Sequence, residues 1–159
     1  MTEPEGRKVS DSYVEIKHIV KLEHLNNIQT LFGGQLMSWM DAASGASGIR
    51  YSGRDVTMVA VDDMQINAPA RLGDTIIVRA KVTYVGRTSL EVLVETDIEA
   101  ADKSRQTISK AFFVGVVLDK EGRPTPAPAL LIETEEEQTL WNAAEKRKEF
   151  RAYRRTQQF

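Results

Sequence analysis

The stretch TLFGGQLMSWMDAASGASG, Thr30 to Gly48, decides how the chain is to be read. Its apolar rhythm is helical, yet it holds four glycines and one acid, Asp41. An interior glycine costs a helix roughly 1 kcal/mol relative to alanine, so a helix here has to be held by what it packs against. On a wheel of 3.6 residues per turn, Leu36, Met40, Ala43 and Ser47 share one side, with Trp39 and Ala46 beside them. That side is the expected core face. Asp41 falls well away from it, on a strip with Gly34, Gly45 and Gly48, flanked by Met37 and Ser38. Two readings of the strip stand at this point. The glycines admit a sheet or a second subunit at close range while Asp41 faces water, or they let a substrate pass close to the carboxylate.

Working outward, Tyr13–Leu25 (YVEIKHIVKLEHL) alternates as a strand, and Asn26–Asn27 breaks it before the helix. Beyond the helix, Met58–Ile66 has strand character and Pro69 closes it. Thr75–Val85 alternates Ile76, Val78, Ala80, Val82 and Tyr84 with polar residues. Gly86-Arg87-Thr88 then turns the chain into Ser89–Ala100 as a hairpin. A polar link leads to the strand Ile108–Asp119. Successive long strands with short links predict an antiparallel sheet with the helix across its concave face, an α+β architecture.

GRPTPAP (Gly122–Pro128) predicts an extended segment. A final helix is expected over Glu133–Thr156, with Thr134 as N-cap, acids in the first turn and basic residues at the end, as the helix dipole favours. That basic end reads as a solvated helix face rather than a nucleic-acid patch. The expected organisation is a flexible N-terminus over 1–12, one domain over 13–132, and a C-terminal helical extension over 133–159.

The 159 residues suit one domain with a sizeable core. A formal charge of −2, from 21 Lys+Arg against 23 Asp+Glu, gives no bulk attraction to nucleic acid or anionic membrane. The absence of cysteine excludes disulfides, thiolate metal sites and a Cys nucleophile. The start carries no secretory pattern, and no apolar run approaches the ~20 residues that span a bilayer. A cytoplasmic protein without membrane insertion is expected.

The helix start suggests chemistry. At Gly33-Gly34 free N–H groups and the positive dipole end can hold a developing negative charge, and glycine permits close approach. A carboxylate two turns on, Asp41, would complete a hydrolytic pair. His18 alternates within a strand and reads as structural. His24 has no serine or acid partner in a recognisable motif and stands as an outside candidate. Met37 and Trp39 read as packing or as the lining of an apolar tunnel.

In Asn26–Gly45 the chain carries N-x-x-x-x-L-F-G-G-x-L-M-x-x-M-D-x-A-x-G. V-A-V-D (Val59–Asp62), A-P-x-R-x-G-D (Ala68–Asp74), V-G-R-T-S (Val85–Ser89), G-R-P-x-P (Gly122–Pro126) and E-T-E-E-E (Glu133–Glu137) follow in order. Over roughly Val14–Gln138 the sequence resembles the hotdog-fold acyl-CoA thioesterases with a single hotdog domain per chain. One departure is local: the family has P-S-D-T-N before the helix, and this chain has Glu23-His24-Leu25-Asn26.

The resemblance implies a long helix wrapped by a curved antiparallel sheet, and a dimer with one continuous sheet, commonly assembled into a hexamer. It implies an active site between subunits, with Asp41 of one chain facing Asn26 of the other. Acyl-CoA would be hydrolysed to a carboxylic acid and coenzyme A. Asp41 would act as general base or nucleophile, Gly34 with Gly33 would hold the oxyanion, and Asn26 would orient water or carbonyl. Coenzyme A, as part of the substrate, would lie on Arg87, Thr88 and Ser89, with Asp62 contributing extended backbone to the pantetheine arm. Arg54, Arg71, Arg105 and Lys110 are further candidates for its phosphates. No metal or separate cofactor is expected. The competing functions are a non-catalytic acyl-CoA binding or sensing module and a hotdog hydratase or dehydratase.

Overall fold

Why a glycine-bearing helix is stable here follows from its surroundings in the computed structural model, which describes residues 5–159. Helix α1 spans Gly33–Ser52 and buries Leu36, Trp39, Met40, Ala43, Ser44, Ser47, Gly48 and Tyr51. Each large apolar side chain so buried contributes about 1.5–3 kcal/mol, enough to offset the glycines. The helix runs one turn past Gly48, the last residue placed on the wheel, because Tyr51 is buried and its hydroxyl donates to the Pro128 carbonyl at 2.7 Å. Gly53 then stops it at φ 69°, a left-handed cap that glycine adopts without strain.

The strands are β1 (Arg7–Lys8), β2 (Val14–Ile19), β3 (Asp55–Ile66), β4 (Thr75–Val85), β5 (Ser89–Glu99), β6 (Arg105–Leu118) and β7 (Leu130–Leu131). Five of them form one antiparallel sheet in the order β2-β4-β5-β6-β3. Helix α1 lies on one face of it, against Val78, Val82, Val92, Val94 and Phe113. This is the architecture read from the sequence.

Strand bounds differ from expectation where polar residues are paired across strands. Strand β6 begins at Arg105 rather than Ile108: Arg105 is bonded to Glu99 and Glu15, and Thr107 donates to Asp97. A register shift at Thr96/Asp97 then turns Ile108 inward. Strand β2 is shorter than Tyr13–Leu25, ending at Ile19, and Leu22–His24 forms a 3₁₀ turn.

The loose segment expected over residues 1–12 is fixed from Arg7 onward; residues 1–4 lie outside the described residues. Arg7–Lys8 pair in parallel with Leu130–Leu131. Ser12 is fully buried: its Oγ accepts from Val82 N at 2.8 Å and its carbonyl accepts from Ser47 Oγ at 2.7 Å. A short polar segment is thus tied to sheet and helix together.

Helix α2, Glu135–Gln157, starts at the Thr134 cap, whose hydroxyl accepts from Glu137 N at 3.1 Å. It crosses the sheet face opposite α1. Tyr84 packs against Trp141 in a tilted arrangement with centroids 4.4 Å apart, and Arg147 bonds Glu91 at 2.8 and 3.0 Å while lying over the Phe112 ring. No helix among the described residues is long and apolar enough to cross a membrane.

Candidate active site

The start of α1 carries two free donors. Phe32 O already accepts from Gln35 N at 3.0 Å and Leu36 N at 3.1 Å. Among the described residues Gly33 N and Gly34 N have no acceptor, as the first amides of a helix require. The entry to the helix is fixed behind them by Leu31 N to Ala70 O and Phe32 N to His24 O, both 2.8 Å. A Cβ at position 34 would stand 2.4 Å from the ring of Phe32, so a larger residue there would have to displace that ring. The aromatic ring of the preceding residue lies over the helix start.

Asp41 is exposed, as are Gly34, Met37, Ser38 and Ala42 beside it. Its strip is therefore open in one protomer, and the glycines on it have different reasons. Gly45 has nothing within 4 Å of where a Cβ would be. Gly48 is buried, with Val56 of β3 at 3.3 Å. So the packing reading holds at Gly48, and the open strip runs from Gly34 to Gly45. Seven residues of helix separate Gly34 from Asp41, about 10 Å along the axis, and the lean of helical side chains toward the N-terminus shortens that gap. A thioester carbonyl and one attacking water span such a distance.

Asn26 organises the loop that leads into the helix. Its Oδ1 accepts from Ile28 N and Thr30 N, both at 3.1 Å, and its Nδ2 donates to Thr30 Oγ1 at 2.9 Å. Its backbone is tied to Thr30 O, and Gln29 takes φ 64°. One Nδ2 hydrogen is left for a ligand. Both histidines pack on Trp39. His18 stacks on it with centroids 4.2 Å apart, and His24 meets it edge-on at 4.9 Å while its Nδ1 accepts from Lys21 N. Burial, then the charge of His24, holds the His18 pKa below its ordinary value.

The hairpin turn at Arg87 is fastened to the proline-rich segment, since Arg87 O accepts from Ala127 N at 3.0 Å. Gly86, Arg87, Pro126, Ala127 and Trp141 line a cleft of about 330 Å³ there. Arg87 is exposed, and Thr88 and Ser89 are half-buried. Asp62 is buried on β3, and its carboxylate is occupied by Arg151 and by Arg154, the latter at 2.9 Å. Sequence reading missed that engagement, because the partners lie in the C-terminal helix. Of the other cations, Arg105 is ion-paired to Glu15 and Glu99, while Lys110 lies over the Phe112 ring. Among the described residues no group of three His, Asp or Glu side chains is placed to hold a metal ion.

The comparisons with known proteins agree with this fold. A family model described as the thioesterase superfamily matches residues 28–100. The chain is 34% identical to an uncharacterized acyl-CoA thioester hydrolase of Bacillus subtilis, over 92% of this chain and 86% of that one. Mammalian acyl-CoA thioesterases that it also matches are longer, and it spans 24% to 36% of their length. Its structure resembles an acyl-CoA hydrolase of Staphylococcus aureus solved with butyryl coenzyme A and coenzyme A, at TM-score 0.89 and 27% identity, covering 96% of this chain and 93% of that one. It resembles a hexameric acyl-CoA thioesterase at TM-score 0.90 and 28% identity, covering 95% and 97%.

The Staphylococcus enzyme has also been solved with an asparagine and an aspartate each changed to alanine, the two separated by as many residues as Asn26 and Asp41. A third variant changes a threonine that, counted from the aspartate, falls where Met58 stands here. Met58 packs on the core beside Gly115 and supplies no hydroxyl. With its helix-on-sheet fold, its glycine-opened helix and these relatives, the chain belongs to the hotdog-fold acyl-CoA hydrolases of the thioesterase superfamily.

Proposed function

We propose that this protein hydrolyses acyl-CoA thioesters to a carboxylic acid and coenzyme A at a site completed by a second copy of the chain. The observation that carries the reading is the open strip of α1, with two unpaired amides at Gly33 and Gly34 and one carboxylate, Asp41, on the same exposed side. The thioester oxygen sits on the amides, where the dipole and donors favour the charge that develops in the tetrahedral intermediate. Asp41 takes a proton from water as it attacks the carbonyl carbon. The C–S bond then breaks and the thiolate leaves with a proton. If Asp41 attacks directly, an anhydride forms and water resolves it. Asn26 of the partner, its loop already stiffened by three side-chain hydrogen bonds, orients water or carbonyl.

The coenzyme A portion is proposed to lie on Arg87, Thr88 and Ser89, whose turn opens on the Trp141 cleft. A guanidinium suits phosphate oxygens. Asp62 takes part through strand backbone, its carboxylate being engaged elsewhere. Two chains are proposed to join along β3. It is one of the two edges of the sheet, the longer one, and Val59, Val61 and Ile66 on it are exposed. Hexameric assembly, as in the related hexameric enzyme, extends the same proposal.

The test is thiol release from acyl-CoAs of short to long chain, with wild type beside Asp41→Asn. Wild-type turnover is expected, with a loss of at least about a hundredfold in the variant, as for other essential catalytic groups. Tight binding without thiol release would overturn the reading in favour of a binding module. Loss of an enoyl double bond without thiol release would favour a hydratase.

A further inference from the structure

Resting on the thioesterase reading, we propose that Arg151 and Arg154 of α2 are positioning residues for the site, acting through Asp62 on the strand end that packs against the start of α1. The C-terminal helix then has a task beyond covering the sheet.

The chain of contacts is continuous. Asp62 is buried on the outer face of β3, where an uncompensated carboxylate would be costly, and two guanidiniums neutralise it. Directly after Asp62 the strand departs from its ladder. Asp62 pairs with Phe112 and Gln65 with Lys110, so β3 gains one residue on β6 between these pairs. Asp63 takes φ 51° in that bulge, a conformation that a non-glycine residue holds only where its surroundings fix it. The ion pairs clamp the residue immediately before the strained one.

Beyond the bulge the strand reaches the helix through Ser109 of β6 and through the side chain of Ile66. Gln65 O accepts from the buried Ser109 Oγ at 2.8 Å, and that hydroxyl also contacts Met40 Sδ at 3.6 Å. Met40 is the residue before Asp41 and is fully buried. Ile66 lies beside Gly33, since a methyl group on its Cα would stand 3.8 Å from Ile66 Cδ1. A shift of the bulge therefore reaches both the oxyanion end and the carboxylate turn of α1. A bulge of this kind re-aims a strand next to a site, and here its anchor lies in another element.

Other features carry less. The cleft of about 660 Å³ lined by Arg7, Arg54, Asp55, Asp119 and Lys120 mixes both charges. The groove of about 550 Å³ beside Phe150, Tyr153 and Phe159 belongs to the same Asp62–Arg154 contact.

The experiment is hydrogen exchange at peptides covering Asp63–Asn67 and Phe32–Leu36, with kinetics alongside, in Asp62→Asn, Arg151→Lys and the milder Arg154→Gln. Thr134→Ala, which frays α2 at its N-cap, serves as control. Exchange at both segments is expected to rise on the order of tenfold in Asp62→Asn and less in Arg154→Gln. It should stay near wild type in Arg151→Lys and in the control. In parallel kcat falls on the order of tenfold with KM within about twofold, the pattern of misplaced catalytic groups. Unchanged exchange in Asp62→Asn, or an equal rise in the control, overturns the proposal. A wild type without turnover overturns the thioesterase reading, and the exchange result still decides the mechanical link.

Discussion

Thr96 is fully buried on β5, and its Oγ1 has no partner among the described residues. A buried hydroxyl without a hydrogen bond costs roughly 1–3 kcal/mol. Replacement by valine, of nearly the same shape, is expected to raise stability by about 1 kcal/mol; a lower midpoint of thermal unfolding would show that a hidden partner exists. His18 gives a second expectation. Its folded pKa lies below its unfolded value because burial, then the His24 charge, disfavours the cation. Its stacked, neutral form therefore contributes fully above the ordinary pKa of ~6.5, and that contribution falls as pH drops below it. Thermal unfolding followed from pH 7.5 to 5.5 should show a smaller loss in His18→Phe than in wild type. Equal losses would remove His18 from the acid sensitivity. At this scale the sequence showed the candidate donors and the carboxylate plainly, because Gly33, Gly34 and Asp41 lie within a few turns of one helix. The engagement of Asp62 was hidden, because Arg151 and Arg154 lie far along the chain and strand alternation says nothing of a distant helix.

At the scale of elements, the sequence located what local chemistry determines. Thr134 caps α2, and the turn at Gly86–Thr88 joins β4 to β5, both as read. Thr134→Ala is expected to cost about 1 kcal/mol, measured as a lower denaturant midpoint; no change would mean the helix is held only by its side-chain contacts. What escaped were features set between elements. The bulges at Thr96/Asp97 and Asp62/Gln65 change which side chains face inward, and a period-two reading cannot foresee them. The end of α1 was left unread although Gly53 carried the signal, a glycine directly past the last helical residue. The order in residues 7–12 depends on Ser12 meeting Val82 and Ser47, a contact between three separate segments.

For the whole molecule, β3, the longer of the two edge strands, is the outstanding feature. A long edge strand with exposed valines is a template for pairing with another chain. Light scattering is expected to find a dimer or a multiple of one in wild type and smaller species in Val61→Lys, and a monomeric wild type would contradict the shared sheet. The central claim is that one site draws Asp41 from one chain and Asn26 from the other. It is tested most directly by denaturing, mixing and refolding two inactive variants, Asp41→Ala and Asn26→Ala. In a mixed dimer one site then holds both intact residues and the other holds neither. With random pairing in a closed twofold dimer, about a quarter of wild-type thiol release should return. Mixed dimers that form and remain as inactive as either parent would contradict a site shared between subunits.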